Sequence, residues 1–209
     1  MPNSRRNQKK NQQHRSERGK AVRPPRRTNG YFSNFLKMTN PKAIISALLV
    51  RKNKNNVLEL FLQTRWKPTI SPTYSGMLEI PAGAIDSYEN VYDSLKREIK
   101  EETNLEIVKI IDDYQGKIRS PRQNDSSFVF KPFICQQATE TNNGLPWIGF
   151  VFLCEVKGEV ILNIDEAKDP RWVTESELRK IITEDFQNIF PLQLPVLEYF
   201  LENIKNINF

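Results

Sequence analysis

The chain has 209 residues, 38% of them hydrophobic; that is enough for one core of moderate size and short for two full domains of ~100–200 residues each. Its 8 Gly and 13 Pro exclude a collagen-like or wholly disordered chain, and no apolar run approaches the ~18 residues that a bilayer-spanning helix needs. The formal charge of +6 is uneven: ten of the 31 Lys/Arg but only one of the 25 acids, Glu17, fall in residues 1–30, so the basic excess belongs to a tail.

That tail has Met1, Ala21 and Val22 as its only apolar residues besides proline. It cannot bury enough surface to offset its ordering entropy, so residues 1–40 are expected to be a disordered basic segment ahead of a domain over residues 41–209. Either it is a solvated solubility tail, or residues 5–27 make weak contact with RNA, DNA or another polyanion by neutralising phosphates. A nuclear or organellar address at residues 23–27 is a further alternative, without the apolar stripe of a transit helix. No aromatic residue precedes Tyr31, which argues against base stacking by the tail. An apolar signal-peptide core is missing too. Cys135 and Cys154 each end an apolar stretch and are expected to be buried thiols in a reducing compartment, the cytoplasm by default. The single histidine, His14, removes most His-based catalysis from consideration.

Beyond the tail, residues 43–50 (AIISALLV) and 57–63 (VLELFLQ) read as strands joined by a polar turn. A proline-bearing loop at 66–75 leads to a short strand at 77–80, ended by Pro81 and Gly83. A helix is predicted over residues 87–103, with Asp86 as N-cap, Glu89 completing a capping box, and Val91, Leu95 and Ile99 as its buried stripe. Asn104 stands where a left-handed C-terminal residue is expected. Further strands are predicted at 107–115, 128–135, 148–156 and 171–173. A capped helix opens at Thr174, with Leu178, Ile181 and Ile182 inward, and a last helix covers 193–204. Trp172 belongs to the core. Strands around two or three helices imply an α/β sandwich with a mixed sheet.

The informative helix carries Glu98, Glu101 and Glu102 within ~60° of one another on a single face. Such like charges repel by roughly 0.2–0.5 kcal/mol per solvated pair, and a hard divalent cation removes the penalty. Three glutamates alone are more often a wet helix face, but a Pro-Ala-Gly loop enters this helix and lets backbone approach a ligand.

The stretch Gly83–Leu105 resembles the signature of the Nudix hydrolase family: Gly83, Glu89, Arg97, Glu98, Ile99, Glu101, Glu102 and Leu105 stand at the required spacings, and only Asn104 departs, where the family has Gly. The resemblance implies a Nudix-type α/β/α sandwich with a mixed sheet, from Pro41 to about Ile204. It implies Mg²⁺ or Mn²⁺ held by Glu98, Glu101, Glu102 and a backbone carbonyl at Gly83 or a neighbour. Glu89 and Arg97 take a structural part, as an ion pair holding the loop onto the helix. Water would displace at phosphorus in a nucleoside diphosphate derivative, with Glu102 or Glu101, or else a later-loop residue such as Glu166 or Glu140, as base. Residues 78–83 (LEIPAG) resemble the Glu-aliphatic-Pro-Ala-Gly stretch of the ADP-ribose and nucleotide-sugar branch, whose members often pair as homodimers. Glu79 then either contacts substrate or metal, or pairs with Arg65. Arg119 and Arg122 either bind phosphate or ribose, or are solvated loop charges. Trp66, Tyr74, Phe128 and Trp147 either stack on a base or pack. The competing expectation is a ligand-sensing or RNA-associated module with weak or no catalysis, motivated by the basic tail and Asn104; the intact carboxylates count against it. A mere scaffold with a wet acidic helix leaves the spacing unexplained.

Overall fold

The apolar stretches become the strands of one eight-stranded mixed sheet in a computed structural model of the protein, which describes residues 40–142, 146–207 and 209. The expectations for the basic segment therefore lie outside the described residues, apart from Asn40. In chain order the elements are β1 (Lys42–Lys52), β2 (Leu58–Arg65), β3 (Leu78–Glu79), β4 (Ala82–Ala84), α1 (Val91–Thr103), β5 (Glu106–Ile111), β6 (Tyr114–Gln115), β7 (Arg119–Arg122) and β8 (Asp125–Ser127). There follow β9 (Phe130–Lys131), β10 (Ile134–Ala138), β11 (Trp147–Lys157), β12 (Ala167–Thr174), α2 (Glu175–Glu184) and α3 (Leu194–Asn203).

β1 lies at the centre, parallel to β11 and antiparallel to β2 and β4. Its near-continuous apolar run is explained by burial on both faces. Alternate residues Ile45, Ala47 and Leu49 meet Val91, Tyr92, Leu95 and Ile99 of α1. Leu48 and Val50 look the other way, onto Leu178 of α2 and Val196, Leu197, Phe200 and Leu201 of α3. The result is an α/β/α sandwich with a mixed sheet, as the signature implied. Trp172 joins the α1-side core only in part: it meets the edge of Phe61 at 5.2 Å, and the Arg51 guanidinium covers its ring at 4.0 Å.

The sheet splits beside β1, and the split positions the site. The N-terminal half of β1 pairs with β4, from Ile44↔Ala84 to Ser46↔Ala82, whereas its C-terminal end pairs with β2, from Val50↔Leu60 to Lys52↔Leu58. Residues 79–83 run through the gap. The Ala47 N–H donates to the Pro81 carbonyl at 3.0 Å. The buried Gln193 side chain accepts from the Ile80 N–H at 2.8 Å and donates back to the Ile80 carbonyl at 3.0 Å.

Several boundaries differ from expectation for local reasons. α1 starts at Val91 and not near residue 87: Tyr88 adopts φ +63°, which breaks helical continuity, and Asn90 caps the helix by accepting from the Tyr92 N–H at 2.9 Å. Half of the expected box survives, since Glu89 accepts from the Asp86 N–H at 3.0 Å. The strand foreseen at 107–115 breaks at Asp112, whose φ is +54°, and the one at 128–135 breaks before β10 beside Pro132. The polar loop containing Arg119 and Arg122 is a small hairpin, β7 with β8. Cys135 is exposed, unlike the buried Cys154, because it faces outward on the edge strand β10. The capping box at Thr174 forms in full. Among the described residues no helix is long and apolar enough to cross a membrane.

Asn104 takes the left-handed conformation, φ +61°, at the end of α1, and its amide donates to the Glu159 carbonyl at 3.3 Å. Asparagine tolerates this region where most residues do not. Asn104→Ala should therefore lower unfolding free energy by about 1 kcal/mol in urea titrations, and Asn104→Gly should be near neutral.

Candidate active site

The site is built where β4, the end of β3 and the second half of α1 meet. Gly83 on β4 faces α1 so closely that a Cβ there would coincide with the Glu98 carboxylate. No other residue allows this approach without displacing Glu98. Within α1, Glu98 is half-buried, Glu101 is exposed and Glu102 is only 5% exposed.

Arg97 ties the outer side of the site. Its guanidinium grips Glu89 with two bonds of 2.8 Å and donates to Glu98 at 2.6 Å, to the Ala84 carbonyl at 3.2 Å and to Glu101 at 3.4 Å. It thus fastens the loop after β4 to the helix. These bonds hold the Glu89 carboxyl down to about 2.

Glu102 points to the sheet side, where the Gln63 amide donates to it at 2.9 Å. Glu79 lies beside it at the end of β3, buried and paired with Arg65 at 3.0 Å. Glu166, in the turn before β12, pairs with Lys67 at 2.7 Å and acts electrostatically on both Glu98 and Glu102. Burial pushes the Glu102 carboxyl up to about 8, and the neighbouring Glu79 charge adds to the push. Burial likewise raises Glu98 and Glu79, against the opposing pull of Arg97 and Arg65 respectively.

Glu79, Gly83, Glu89, Arg97, Glu98, Glu101, Glu102 and Glu166 are therefore gathered in one region. Trp66 adjoins it: its backbone N–H donates to the Glu166 backbone carbonyl at 2.7 Å, and the Lys168 ammonium lies 3.2 Å from its ring centroid. Arg119 is not gathered there by any hydrogen bond or ion pair among the described residues; it stands exposed on the β7–β8 hairpin. Glu140 is exposed in the loop after β10. Tyr74 packs edge-on against Phe190, and Phe128 packs on Tyr92.

Gln63 and Lys67 escaped the sequence reading. The signal was present in β2, whose α1-facing positions run Phe61, Gln63, Arg65. A polar switch on one face of an otherwise apolar strand marks the point where core gives way to a site.

Among the described residues, no three Asp, Glu, His or Cys side chains close around a common point as they stand. Arg97 holds Glu98 and Glu101, and Gln63 holds Glu102. The donors nonetheless fit a hard divalent cation: all are carboxylate oxygens, one deeply buried, beside a strand whose missing Cβ makes room for another.

Comparison with known proteins now decides the family. A family model, the NUDIX domain, matches residues 41–193. The chain belongs to the Nudix hydrolase family. The Nudix fold is shared with the MutT protein of Methanosarcina mazei, at 21% identity and TM-score 0.54 over 80% of this chain and 98% of that one. It is shared with the NUDIX domain of Shewanella oneidensis NrtR, solved in complex with ADP ribose, at 14% identity and TM-score 0.53 over 83% and 96%. A third likeness is to a protein of Jonesia denitrificans described as a possible asymmetric diadenosine tetraphosphate hydrolase, at 16% identity and TM-score 0.53 over 78% and 94%. No match was found among curated proteins.

The buried carboxyl of this Nudix site makes stability depend on pH. The Glu102 value of about 8 in the folded chain exceeds the ordinary 4.5. Folding then retains a proton that the unfolded chain releases, so this contribution is full below about pH 4.5 and lost by about pH 8. Glu89 acts in the opposite sense, but only below 4.5, towards 2. Chelator-treated protein should therefore lose thermal stability from about pH 4.5 to about pH 8, and Glu102→Gln should flatten that slope.

Proposed function

We propose that the protein is a divalent-cation-dependent pyrophosphohydrolase of nucleoside diphosphate derivatives, with ADP-ribose or a nucleotide sugar as substrate. The observation that carries this reading is the close approach of Gly83 on β4 to the Glu98 carboxylate, with Glu101 and Glu102 one turn further along α1. In it, Glu98, Glu101, Glu102 and a backbone carbonyl at Gly83 hold Mg²⁺ or Mn²⁺. The ion supplies charge neutralisation of the diphosphate and activation of the attacking water.

The chain's own residues do the rest. Arg97 keeps the Gly83 loop against α1 through Glu89 and the Ala84 carbonyl. Glu166, half-exposed beside Glu98 and Glu102, takes the proton of the attacking water, with Glu101 or Glu102 as the alternative base. Lys67 orients Glu166 through their 2.7 Å ion pair. The water oxygen bonds to phosphorus, one anhydride P–O bond breaks, and a nucleoside monophosphate leaves together with the phosphorylated remainder. Trp66 offers a ring close to Glu166, and Glu79 is the remaining substrate contact at the site, whereas Arg119 stands apart from it on the β7–β8 hairpin. The LEIPAG stretch at 78–83 supports an ADP-ribose-like substrate, and the NrtR domain with a similar fold binds ADP ribose. The basic stretch at residues 5–27 supports a second property, weak contact with polyanions.

With Mg²⁺, incubation with ADP-ribose, nucleotide sugars, dinucleoside polyphosphates, NTPs and capped RNA should release a nucleoside monophosphate from at least one, as read by chromatography. Glu102→Gln should cut kcat by about 100-fold or more; normal turnover would remove Glu102 from the ligand set. Deleting residues 1–30 should spare small-molecule turnover and weaken retention on heparin. Equal loss of both would place the tail within the active site.

A further inference from the structure

Every carboxylate of the site but one is held by a cation from the chain itself. Glu79 has Arg65, Glu166 has Lys67, and Glu89, Glu98 and Glu101 share Arg97. Glu102 is the exception: its hydrogen-bond donor among the described residues is Gln63, a neutral amide.

Gln63 is 1% exposed and faces α1 from β2, and its backbone is in register with Glu79 of β3. It stands between the two most deeply buried carboxylates of the site. Its side chain donates to Glu102 Oε2 at 2.9 Å, and Glu79 acts electrostatically on the same carboxyl. An ionised Glu102 only accepts, so the amide nitrogen faces it. The amide oxygen is left without a hydrogen-bond partner among the described residues. Buried polar atoms are nearly always paired, and those that are not call for an explanation. A leucine or methionine here would fill the space without stranding an acceptor. An arginine or lysine would satisfy Glu102 better, but would cancel the charge that an incoming cation needs. A neutral donor such as this amide fixes the direction of a carboxylate without supplying a compensating charge.

We propose that Gln63 is the positioning residue of the metal centre: it fixes one oxygen of Glu102 by a neutral hydrogen bond and so reserves that carboxylate for the divalent cation. This rests on the proposed function, in which Glu102 is a ligand. Gln63 touches neither the substrate nor the reacting atoms; it acts through Glu102.

The test is Mn²⁺ binding to the full, metal-free chain, followed by calorimetry and by electron paramagnetic resonance. Gln63→Met removes the donor at nearly the same length. It should retain the fold by circular dichroism and weaken Mn²⁺ binding about 10- to 100-fold. Affinity within twofold of the unsubstituted chain would overturn the proposal. Glu102→Gln in parallel separates the two readings. If it binds Mn²⁺ normally, the ligand assignment itself has failed; if it loses binding while Gln63→Met keeps it, only the role of Gln63 has failed. Should Gln63→Met not fold, the unsubstituted chain decides. Its Gln63 side-chain ¹⁵N amide signal should shift as Mg²⁺ is titrated, and a signal that stays fixed overturns the proposal.

Discussion

A methyl group at Gly83 would occupy the place of the Glu98 carboxylate, so only a residue without a Cβ lets β4 meet α1 with Glu98 where it stands. Most of the site follows from that contact. It brings the loop after β4 alongside the helix, where Arg97 can reach both the Ala84 carbonyl and Glu89. It presses Glu98 into partial burial, and it turns the face carrying Glu102 towards β2 and β3. The split beside β1 is what lets so short a strand be present at all, because β4 takes over from β2 as the partner of β1.

The second organising feature is how the acids are compensated. Acidic groups outnumber the bases around them, and Arg97 alone serves three carboxylates. The excess sits on Glu102, which burial strips of water and which a neutral amide holds. A site of this kind is incomplete electrostatically until a cation enters, and its carboxyl must shed a proton for that to happen. In the function proposed above, the same imbalance that lowers the stability of the metal-free fold would favour a bound divalent ion.

Much of the architecture was legible in the chain because it is written in local pattern. The AIISALLV run could only be a strand buried on both faces, and the Thr174 capping box and the stripe of Val91, Leu95 and Ile99 follow from helix geometry. The acidic face of α1 was legible from spacing alone. What was not legible depends on contacts between distant residues. Asp86 looked like the cap of α1, but Asn90 caps it instead, while Glu89 accepts both from the Asp86 N–H and from Arg97, the ion pair that the signature implied. Gln63 looked like the end of an apolar strand: the polar switch in β2 marks a change of surroundings, but its partner Glu102 lies 39 residues later in the chain. Cys135 ends an apolar stretch, yet the sheet edge turns it outward.

The clamp on Ile80 joins positions 113 apart in the chain. As the polypeptide emerges from the ribosome, β1, β2 and α1 are all made long before Gln193 appears. Until then the backbone between Glu79 and Gly83 lacks two of the bonds that hold it in the sheet gap. This segment is thus among the last parts to lock during synthesis, and a nascent chain stopped short of Gln193 carries the complete signature without the support that shapes it.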